Sequence, residues 1–399
     1  MQDLRTKVYE LMLFNRRCKG KYQYTLPSPD SYPYQWLWDS CFHAIILAHY
    51  NTEDAKKELL SLVAKQFSNG MIPHMNYWQE PEKTNFPKID WGKEDSSSIT
   101  QPPLLAYAVW KIYQKDQDLE FLSNIYCHIK RFYDYILKER DPRGYHLAGI
   151  INPDESGEDN SPRFDLPLNL PPKQTLEENY KKRIELINKN HKSCNFDAPF
   201  CMKNFFWVKD VPFNSILVEN LKILSFIADK LNFDEESEYY HHQASLIKGA
   251  MRSLMLEDGI FWSTYGKDYK KIKIKTWAIF SPLFAKVATD SEAKSLIKNY
   301  FLNPNEFYLP FILPTTSKSE PAFDPKGFWR GPIWMSLNWI VFKGLKNYGF
   351  GMEAKYLLDC SIKLLEKSGF REQYDPFTGE GCGARNFTWG GLIVDMLEN

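Results

Sequence analysis

Helical spacing of apolar side chains is clearest in the stretch Asp54-Ala55-Lys56-Lys57-Glu58-Leu59-Leu60-Ser61-Leu62-Val63-Ala64-Lys65-Gln66-Phe67. Its apolar residues fall on one face of a helical projection, namely Ala55, Leu59, Leu62, Val63 and Phe67. The charged residues of its first half lie elsewhere on the projection. The stretch therefore predicts an amphipathic helix with one face in a protein core.

Comparable apolar stripes recur along the rest of the chain. They cover Pro103–Tyr113, Leu122–Leu137, Ser215–Leu231, Glu238–Leu254, Glu292–Tyr300, Met335–Tyr348, Met352–Lys367 and Phe387–Leu397. Strand-like alternation is limited to the short candidates Gly259–Tyr265 and Lys271–Trp277. The pattern predicts an all-α fold of about a dozen helices, arranged as helical hairpins in a single domain over residues 1–399.

Composition narrows the function classes. Fifty basic and fifty acidic residues give no formal net charge, so neither a nucleic-acid surface nor an anionic membrane surface is expected. The start of the chain shows no apolar core of signal-peptide length, and no stretch is expected to approach the length and hydrophobicity of a membrane span. The seven cysteines are scattered without any Cys-x-x-Cys pair, which favours reduced thiols in a cytoplasmic protein.

Two acidic loop segments carry the chemistry. They read Glu155-Ser156-Gly157-Glu158-Asp159-Asn160-Ser161-Pro162-Arg163 and Arg371-Glu372-Gln373-Tyr374-Asp375-Pro376-Phe377-Thr378-Gly379-Glu380-Gly381. Gly, Pro, Ser and Asn mark both as turns. Paired carboxyl groups on such loops suit glycosidic-bond hydrolysis, in which one group protonates the leaving oxygen and the other acts on the opposite side of the sugar. The long connection 164–206 after the first loop is predicted to be a lid-like insertion, with a solvated surface insertion as the alternative.

Collinear motifs give the chain a resemblance to a known family. They are Tyr34-Gln35-Trp36-Leu37-Trp38-Asp39-Ser40-Cys41-Phe42-His43-Ala44, Gln66-x-x-Asn69-Gly70-Met71-Ile72-Pro73-His74-Met75, Ile99-Thr100-Gln101-Pro102-Pro103, Glu155-Ser156-Gly157-x-Asp159-x-Ser161-Pro162-Arg163, Asp210-x-x-x-Asn214, Trp329-Arg330-Gly331-Pro332-Ile333-Trp334 and Glu372-x-Tyr374-Asp375-Pro376-x-Thr378-Gly379-x-Gly381. In these blocks the chain resembles bacterial and archaeal members of glycoside hydrolase family 63 and, more loosely, the family 37 trehalases. The resemblance implies an (α/α)6 barrel and an inverting α-glycosidase with its site at the barrel mouth.

The resemblance also implies residue roles. Asp159 corresponds to the general acid, and Glu155 and Glu158 are the expected source of a like charge that keeps it protonated. Glu372 corresponds to the general base, with Asp375 and Glu380 as local rivals. The substrate-binding candidates are Tyr32, Trp36, Trp38, Asp39, Tyr77, Gln101, Gly157, Arg163, Trp329, Arg330 and Trp334. For Arg163 and Arg330 a buried structural ion pair is the alternative, and Asp39 or Glu372 is the expected partner of Arg330.

The expected substrate is a small α-glycoside, an α-mannosyl- or α-glucosyl-glycerate. A glycerate carboxylate needs a basic partner, for which the candidates are Lys181, Lys182, Arg183, Lys189 and Lys192, with the hydroxyl of Tyr77 beside them. Phe328 stands where the most similar hydrolases carry Tyr, which leaves the sugar epimer open. An α,α-trehalase or a short-chain α-glucosidase is the main alternative.

Other function classes are less favoured. A sugar epimerase on the same toroid needs paired proton-transfer histidines, whereas His43 and His74 are interpreted as structural. An inert sugar-binding protein is expected to lack one of the two carboxylates, and a helical scaffold leaves the acidic loops unexplained. No metal or other cofactor is expected, and a homo-oligomer is compatible with the sequence.

Overall fold

Helices dominate the architecture. The computed structural model describes residues 2–79 and 86–398, without the Gln2 side chain. Its α-helices are α1 Gln2–Asn15, α2 Leu37–Leu47, α3 Thr52–Val63, α4 Leu105–Asp116, α5 Leu119–Glu139, α6 Asp165–Leu168, α7 Leu176–Cys194, α8 Ala198–Asn204, α9 Val211–Lys230, α10 Asp234–Ala250, α11 Ser281–Phe284, α12 Asp290–Leu296, α13 Met335–Asn347, α14 Gly351–Ser368 and α15 Ile393–Leu397. Short 3₁₀ turns include Pro153–Ser156 and Thr388–Leu392.

The strands are short and form small antiparallel ribbons. They are β1 Arg16–Lys19, β2 Tyr22–Thr25, β3 Gln35–Trp36, β4 Met75–Asn76, β5 Val208–Lys209, β6 Leu256–Glu257, β7 Ile260–Phe261, β8 Thr264–Tyr265, β9 Lys270–Lys271, β10 Arg371–Tyr374 and β11 Gly381–Arg385. The pairs are β1–β2, β3–β4, β6–β7 and β10–β11, and β8 lies between β5 and β9. The mostly helical prediction is confirmed. Gly259–Tyr265 contains the two short strands β7 and β8, whereas the prediction of a strand over Lys271–Trp277 is wrong beyond Lys271.

Helices adjacent in sequence pack against one another around one large core. The pairs include α2 with α3, α9 with α10 and α13 with α14. Helix α9 is long and apolar enough to cross a membrane by length and composition, contrary to the expectation that no stretch approaches this limit. Because 83% of its apolar window is buried inside the protein, its hydrophobic residues serve the core.

Helix α2, like α1 and α7, is an element that periodicity did not predict. Every residue from Leu37 to Leu47 is buried, including Asp39 and His43. A helix buried on all sides has no polar face, so its sequence shows no apolar stripe. This helix begins directly after Trp36 and carries Trp38 and Asp39 in its first turn.

The insertion 164–206 is folded onto the rest of the protein. A capping box of Thr175 and Glu178 starts α7. Ile187 and Phe196 then share a buried cluster with Trp36 and Trp91. One side of the insertion is therefore packed against the rest of the protein, while many of its other residues are exposed.

Two cysteines in this insertion depart from the expectation of reduced thiols. Cys194 at the end of α7 and Cys201 in α8 form a disulfide, with Cα atoms 5.8 Å apart, within the ordinary range for such a bond. The other five cysteines are free. Sequence spacing alone did not indicate this pair because the turn between α7 and α8 brings the two side chains together.

Candidate active site

A cavity of about 250 Å³ lies where the insertion meets the loops that precede α2, α4 and α13. Half of its lining residues are aromatic, namely Tyr32, Trp36, Trp38, Phe86, Trp91, Tyr180, Phe328, Trp329, Trp334, Phe387 and Trp389. The polar lining side chains are Asp39, His74, Gln101, Asp154, Asp159 and Arg183. Aromatic walls with a few convergent polar groups are typical of a small-molecule site.

Asp159 lies on the cavity wall, after the 3₁₀ turn Pro153–Ser156 and the left-handed Gly157. Its carboxylate is ion-paired with the Arg183 guanidinium of α7. Burial raises the pKa of Asp159, the Arg183 charge opposes this shift, and the Asp154 carboxylate adds to it. The neighbouring like charge is therefore Asp154, and the expectation that Glu155 and Glu158 supply it is wrong.

Glu155 and Glu158 instead anchor the acidic loop through buried ion pairs. Glu155 forms two 2.7 Å contacts with the Arg140 guanidinium. Glu158 accepts two 3.0 Å hydrogen bonds from Arg163 and one of 2.8 Å from the indole of Trp277. Because these ion pairs neutralise the two glutamates, Glu155 and Glu158 stabilise the acidic loop and do not supply a free negative charge to the cavity.

Arg163 is correspondingly absent from the lining of the cavity. Its guanidinium is buried between Glu158 and Asp210, with an Nε–Oδ1 distance of 3.0 Å to Asp210. Since a buried arginine must be paired, this arrangement satisfies its donors. The prediction of Arg163 as a substrate-binding residue is wrong, and the structural alternative holds.

Glu372 lies on β10, beside the cavity and behind Tyr32. Its Oε1 accepts a 2.5 Å hydrogen bond from the Tyr32 hydroxyl, and its Oε2 accepts one of 2.7 Å from the Ala384 amide. Burial raises the pKa of Glu372, the two hydrogen bonds oppose the shift, and the Asp159 carboxylate reinforces it. The Asp159 and Glu372 carboxyl groups therefore interact electrostatically, although Glu372 is not among the residues that line the cavity.

Gly383 opposite Glu372 leaves room for this carboxylate. A Cβ atom at Gly383 would lie 2.2 Å from Glu372 Oε2, and its φ of +67° is in the left-handed region. Asp375, one rival for the base, accepts hydrogen bonds from the amides of Phe377 and Thr378 and so holds the turn. Glu380, the other rival, is exposed.

The floor of the cavity is built on the first turn of α2. Asp39 accepts a 2.7 Å hydrogen bond from the Trp389 indole, and burial raises the pKa of Asp39 to about 6. The Gln101 side chain accepts from the Trp38 amide at 3.3 Å. Gly157 packs directly against the Trp38 ring. A Cβ atom at this position would lie 2.4 Å from that ring, so the close approach requires glycine.

The opposite wall is a pair of stacked tryptophans. The rings of Trp329 and Trp334 are 3.7 Å apart and inclined by 9°. Phe328 adjoins them with a φ of +64°, and its carbonyl accepts a 3.0 Å hydrogen bond from the Trp334 indole. Such flat apolar faces suit the C–H face of a sugar ring.

Two further predicted site residues lie outside this lining. Arg330 forms a bidentate pair with Asp165 at 2.9 and 2.6 Å and also donates to the Pro172 carbonyl. It therefore ties α6 to the loop before α13, and its predicted partners Asp39 and Glu372 are wrong. Tyr77 packs against Tyr34 with ring centres 4.5 Å apart and does not line the cavity.

Other lining residues were not identified from the sequence as site residues. They are Asp154, Tyr180, Phe387 and Trp389, together with the loop residues around Trp91. Asp154 directly precedes the acidic motif, which is the signal that could have indicated it. Tyr180 and Trp389 carry no local signal, because only the packing of α7 and of the C-terminal turn brings them to the cavity.

The two motif histidines have structural partners. His43 pairs with the Thr388 hydroxyl at 2.7 Å, and His74 with the Ser97 hydroxyl at 2.6 Å. Burial lowers the pKa of His74 to about 3, so the ring is neutral at physiological pH. His74 therefore lacks the environment of a proton-transfer histidine near neutral pH.

A helical fold and an aromatic cavity with Asp159 in its wall are compatible with a glycoside hydrolase. Comparison with known proteins agrees. The family model for the mannosylglycerate hydrolase MGH1-like glycoside hydrolase domain matches residues 32–390, and the chain belongs to this family.

Curated relatives match along nearly their full length. A mannosylglycerate hydrolase of Thermus thermophilus is 32% identical over 96% of this chain and 98% of the relative. A glucosylglycerate hydrolase of Mycolicibacterium hassiacum is 26% identical over 94% of each chain.

Solved structures extend this agreement to three dimensions. The crystal structure of the family 63 mannosylglycerate hydrolase from Thermus thermophilus in complex with Tris has a TM-score of 0.90 at 31% identity, covering 99% of this chain and 100% of that one. The neutral trehalase of Saccharomyces cerevisiae matches with a TM-score of 0.63 at 17% identity, over 95% of this chain and 74% of that one. The latter likeness concerns the fold alone.

Proposed function

We propose that this glycoside hydrolase cleaves α-mannosyl- or α-glucosyl-glycerate with inversion of the anomeric carbon. One observation carries the choice of substrate. Arg183 is the one arginine or lysine lining the cavity among residues 2–79 and 86–398, and it lies beside Asp159. A guanidinium at this point is suited to a carboxylate on the leaving group. The names of the relatives agree with a glycerate leaving group.

The other basic candidates do not reach the cavity. Lys181, Lys182, Lys189 and Lys192 lie on α7 outside the cavity lining, and Lys182 pairs with Glu185 at 3.0 Å. A neutral leaving group such as glucose would offer this guanidinium only hydroxyl groups, whereas a carboxylate can form a charge-assisted pair with it. This difference favours a glycerate glycoside over trehalose.

In the proposed reaction Asp159 is the general acid and Glu372 the general base. Asp159 donates its proton to the glycosidic oxygen, while Glu372 removes a proton from a water that attacks the anomeric carbon from the other face. We expect the two carboxyl groups to lie roughly 6.5–9.5 Å apart in the substrate complex, which leaves space for this water. Tyr32 orients Glu372 through its hydrogen bond.

The sugar is proposed to bind on the aromatic faces of the cavity. Asp39 and Gln101 supply hydroxyl partners at the floor, and Trp36, Trp38, Trp329 and Trp334 form the walls. The Gly157 position lets the acidic loop approach the floor. Tyr32 lines the same space and reaches both the sugar and the base.

Three further proposals accompany this function and concern the fold, the insertion and the cellular location. The helical hairpins are proposed to close into an (α/α)6 barrel, as one domain over residues 1–399. The segment 164–206 is proposed to act as a lid that contributes Tyr180 and Arg183 to the cavity. A cytoplasmic location is proposed because the expected substrate is a small solute; the disulfide of Cys194 and Cys201 weighs against it.

A hydrolysis screen with anomer detection tests the proposal. Mannosylglycerate, glucosylglycerate, trehalose and kojibiose are incubated with the enzyme, and the first-formed anomer is observed by NMR. We expect rapid release of the β-anomer from one of the two glycerate glycosides. Release of the α-anomer contradicts inversion, and preferential hydrolysis of trehalose or kojibiose contradicts the substrate.

A further inference from the structure

One guanidinium in the cavity holds two carboxylates at once. Arg183 Nη2 lies 2.5 Å from Asp154 Oδ1, and its Nε lies 3.2 Å from Asp154 Oδ2. The remaining nitrogen, Nη1, contacts Asp159 Oδ2. Asp154 is therefore held by two nitrogens and Asp159 by one, which makes the Asp159 contact the easier of the two to exchange.

The charges around Asp159 come from several elements. Arg183 on α7 is the positive group. Asp154 on the same loop, Glu372 on β10 and Asp39 on α2 are the acidic groups, and Tyr32 contributes a phenol between them. With one cation among these carboxyl groups, the arrival of one more carboxylate leaves the site strongly over-supplied with negative charge. Binding one proton is the simplest way to relieve this excess.

We propose that Arg183 couples recognition of an anionic leaving group to protonation of the general acid. The leaving-group carboxylate takes the Nη1 position from Asp159, and Asp159 binds a proton from solvent in exchange. This inference rests on the proposed function and extends it, because Arg183 then determines specificity through the protonation state of Asp159 as well as through binding.

The proton balance closes over one turnover. The proton taken up by Asp159 passes to the glycosidic oxygen and leaves in the new hydroxyl of the glycerate. Glu372 accepts one proton from the attacking water and returns it to solvent. Asp159, again a carboxylate, recovers its Arg183 contact as the glycerate departs.

A comparison of two substrates that differ only in charge distinguishes this coupling from simple binding of the leaving group. The pair consists of the glycerate glycoside and the corresponding glycosyl glycerol, in which a neutral CH₂OH group replaces the carboxylate. The basic limb of kcat/KM reports the general acid before substrate binds, and that of kcat reports it in the complex. For the glycerate glycoside we expect the kcat limb to lie about one pH unit above the kcat/KM limb, whereas for the neutral glycoside the two limbs coincide.

Substitution of Arg183 is expected to shift the basic limb of kcat/KM in a defined direction. In Arg183→Gln, Asp159 loses its counter-charge, so the kcat/KM limb for the neutral glycoside moves to higher pH by about one unit relative to the wild type. Arg183→Lys keeps the charge and loses the fork geometry, so this limb stays in place while KM for the glycerate glycoside rises. Lys182→Gln removes an exposed charge from the same helix and is expected to leave both profiles unchanged.

The outcomes are distinguishable. If Arg183→Gln folds, as judged by its thermal transition, and keeps the wild-type basic limb, the coupling is wrong even when the glycerate glycoside is hydrolysed. Coincident limbs for the glycerate glycoside in the wild type contradict it as well. If no glycerate glycoside is hydrolysed, the proposed function itself fails and this inference with it.

Discussion

At the level of single residues, both proposed catalytic carboxyl groups are held by protein partners of opposite character. Asp159 faces a full positive charge on Arg183. Glu372 faces two neutral donors, the Tyr32 hydroxyl and the Ala384 amide. A guanidinium can exchange one carboxylate partner for another, whereas neutral donors orient a base without neutralising its charge. This asymmetry suits an acid and a base in the same cavity.

Removing either carboxylic acid tests these assignments. We expect Asp159→Asn and Glu372→Gln each to lower kcat by roughly two or more orders of magnitude, because neither amide can transfer the required proton. Steady-state kinetics on the glycerate glycoside measures the effect. Glu380→Gln is the matched control on the same hairpin, since Glu380 is exposed. Near-normal turnover in either site variant contradicts its role.

The Tyr32 hydrogen bond predicts a change in pH dependence. Its donor stabilises the Glu372 carboxylate, so Tyr32→Phe raises the pKa of Glu372. The base works as a carboxylate, and activity is lost as pH falls through this pKa. The acid limb of kcat/KM is therefore expected to move up by about one pH unit. Tyr77→Phe, outside the cavity lining, serves as control, and an unmoved acid limb in Tyr32→Phe argues against the orienting role.

At the level of elements, α7 supplies the cationic residue of the cavity, Arg183. Its N-terminal capping box lies just before Tyr180 and Arg183. Its far end, with the disulfide to α8, packs into the cluster beneath Trp36 and Trp91. The position of Arg183 therefore depends on both ends of one helix.

Loss of the α7 cap tests this dependence. Thr175→Ala is expected to lower the free energy of unfolding by about 1 kcal/mol and to raise KM for the glycerate glycoside several-fold. Thr289→Ala, which removes the same capping box from α12, is expected to cost similar stability with no change in KM. Chemical denaturation and steady-state kinetics measure the two effects. Equal KM changes in both variants would show that the effect is global.

At the level of the whole molecule, buried charges join the C-terminal helix to the rest of the protein. Asp395 on α15 pairs with Lys343 on α13 at 2.5 Å, and with His49 after α2 at 3.1 Å. It also accepts a 2.7 Å hydrogen bond from the Trp339 indole. Burial alone raises the pKa of Asp395, but the His49 hydrogen bond and the Lys343 charge outweigh it and hold this pKa well below its usual range.

This depressed pKa predicts the direction of acid destabilisation. The Asp395 contribution to stability is present above the ordinary pKa of an aspartate and is lost as pH falls below about 4. Asp395→Asn is therefore expected to lower the free energy of unfolding at pH 7 by about 3–5 kcal/mol, since Lys343 is left unpaired. It should also flatten the decline in stability at acidic pH. Denaturant titrations at several pH values measure both, with the exposed Asp359→Asn as control. An unchanged pH slope contradicts the prediction.

What could be predicted from the sequence follows from local physics. Apolar spacing predicted helices such as α13 and α14 close to their observed bounds, whereas α3 ends at Val63, four residues before the predicted end. An amphipathic helix records its buried face in every turn. Glycine and proline around the carboxylates predicted the first acidic loop and the turn after Tyr374, since these residues determine turn geometry over a few positions, but they did not predict the strand β10 that carries Glu372. Helix α2 was missed for the converse reason, as burial on all sides erases the pattern.

The partners of charged side chains were decided only in three dimensions. Arg163, Arg183 and Arg330 look alike in the sequence, yet two satisfy buried aspartates and glutamates beneath the loops and one reaches the cavity. The sequence by itself determined most of the long helices and the two acidic segments, because those depend on neighbours along the chain. Tertiary packing determined which cation faces which acid, because ion pairing depends on distance in space and on exclusion of water.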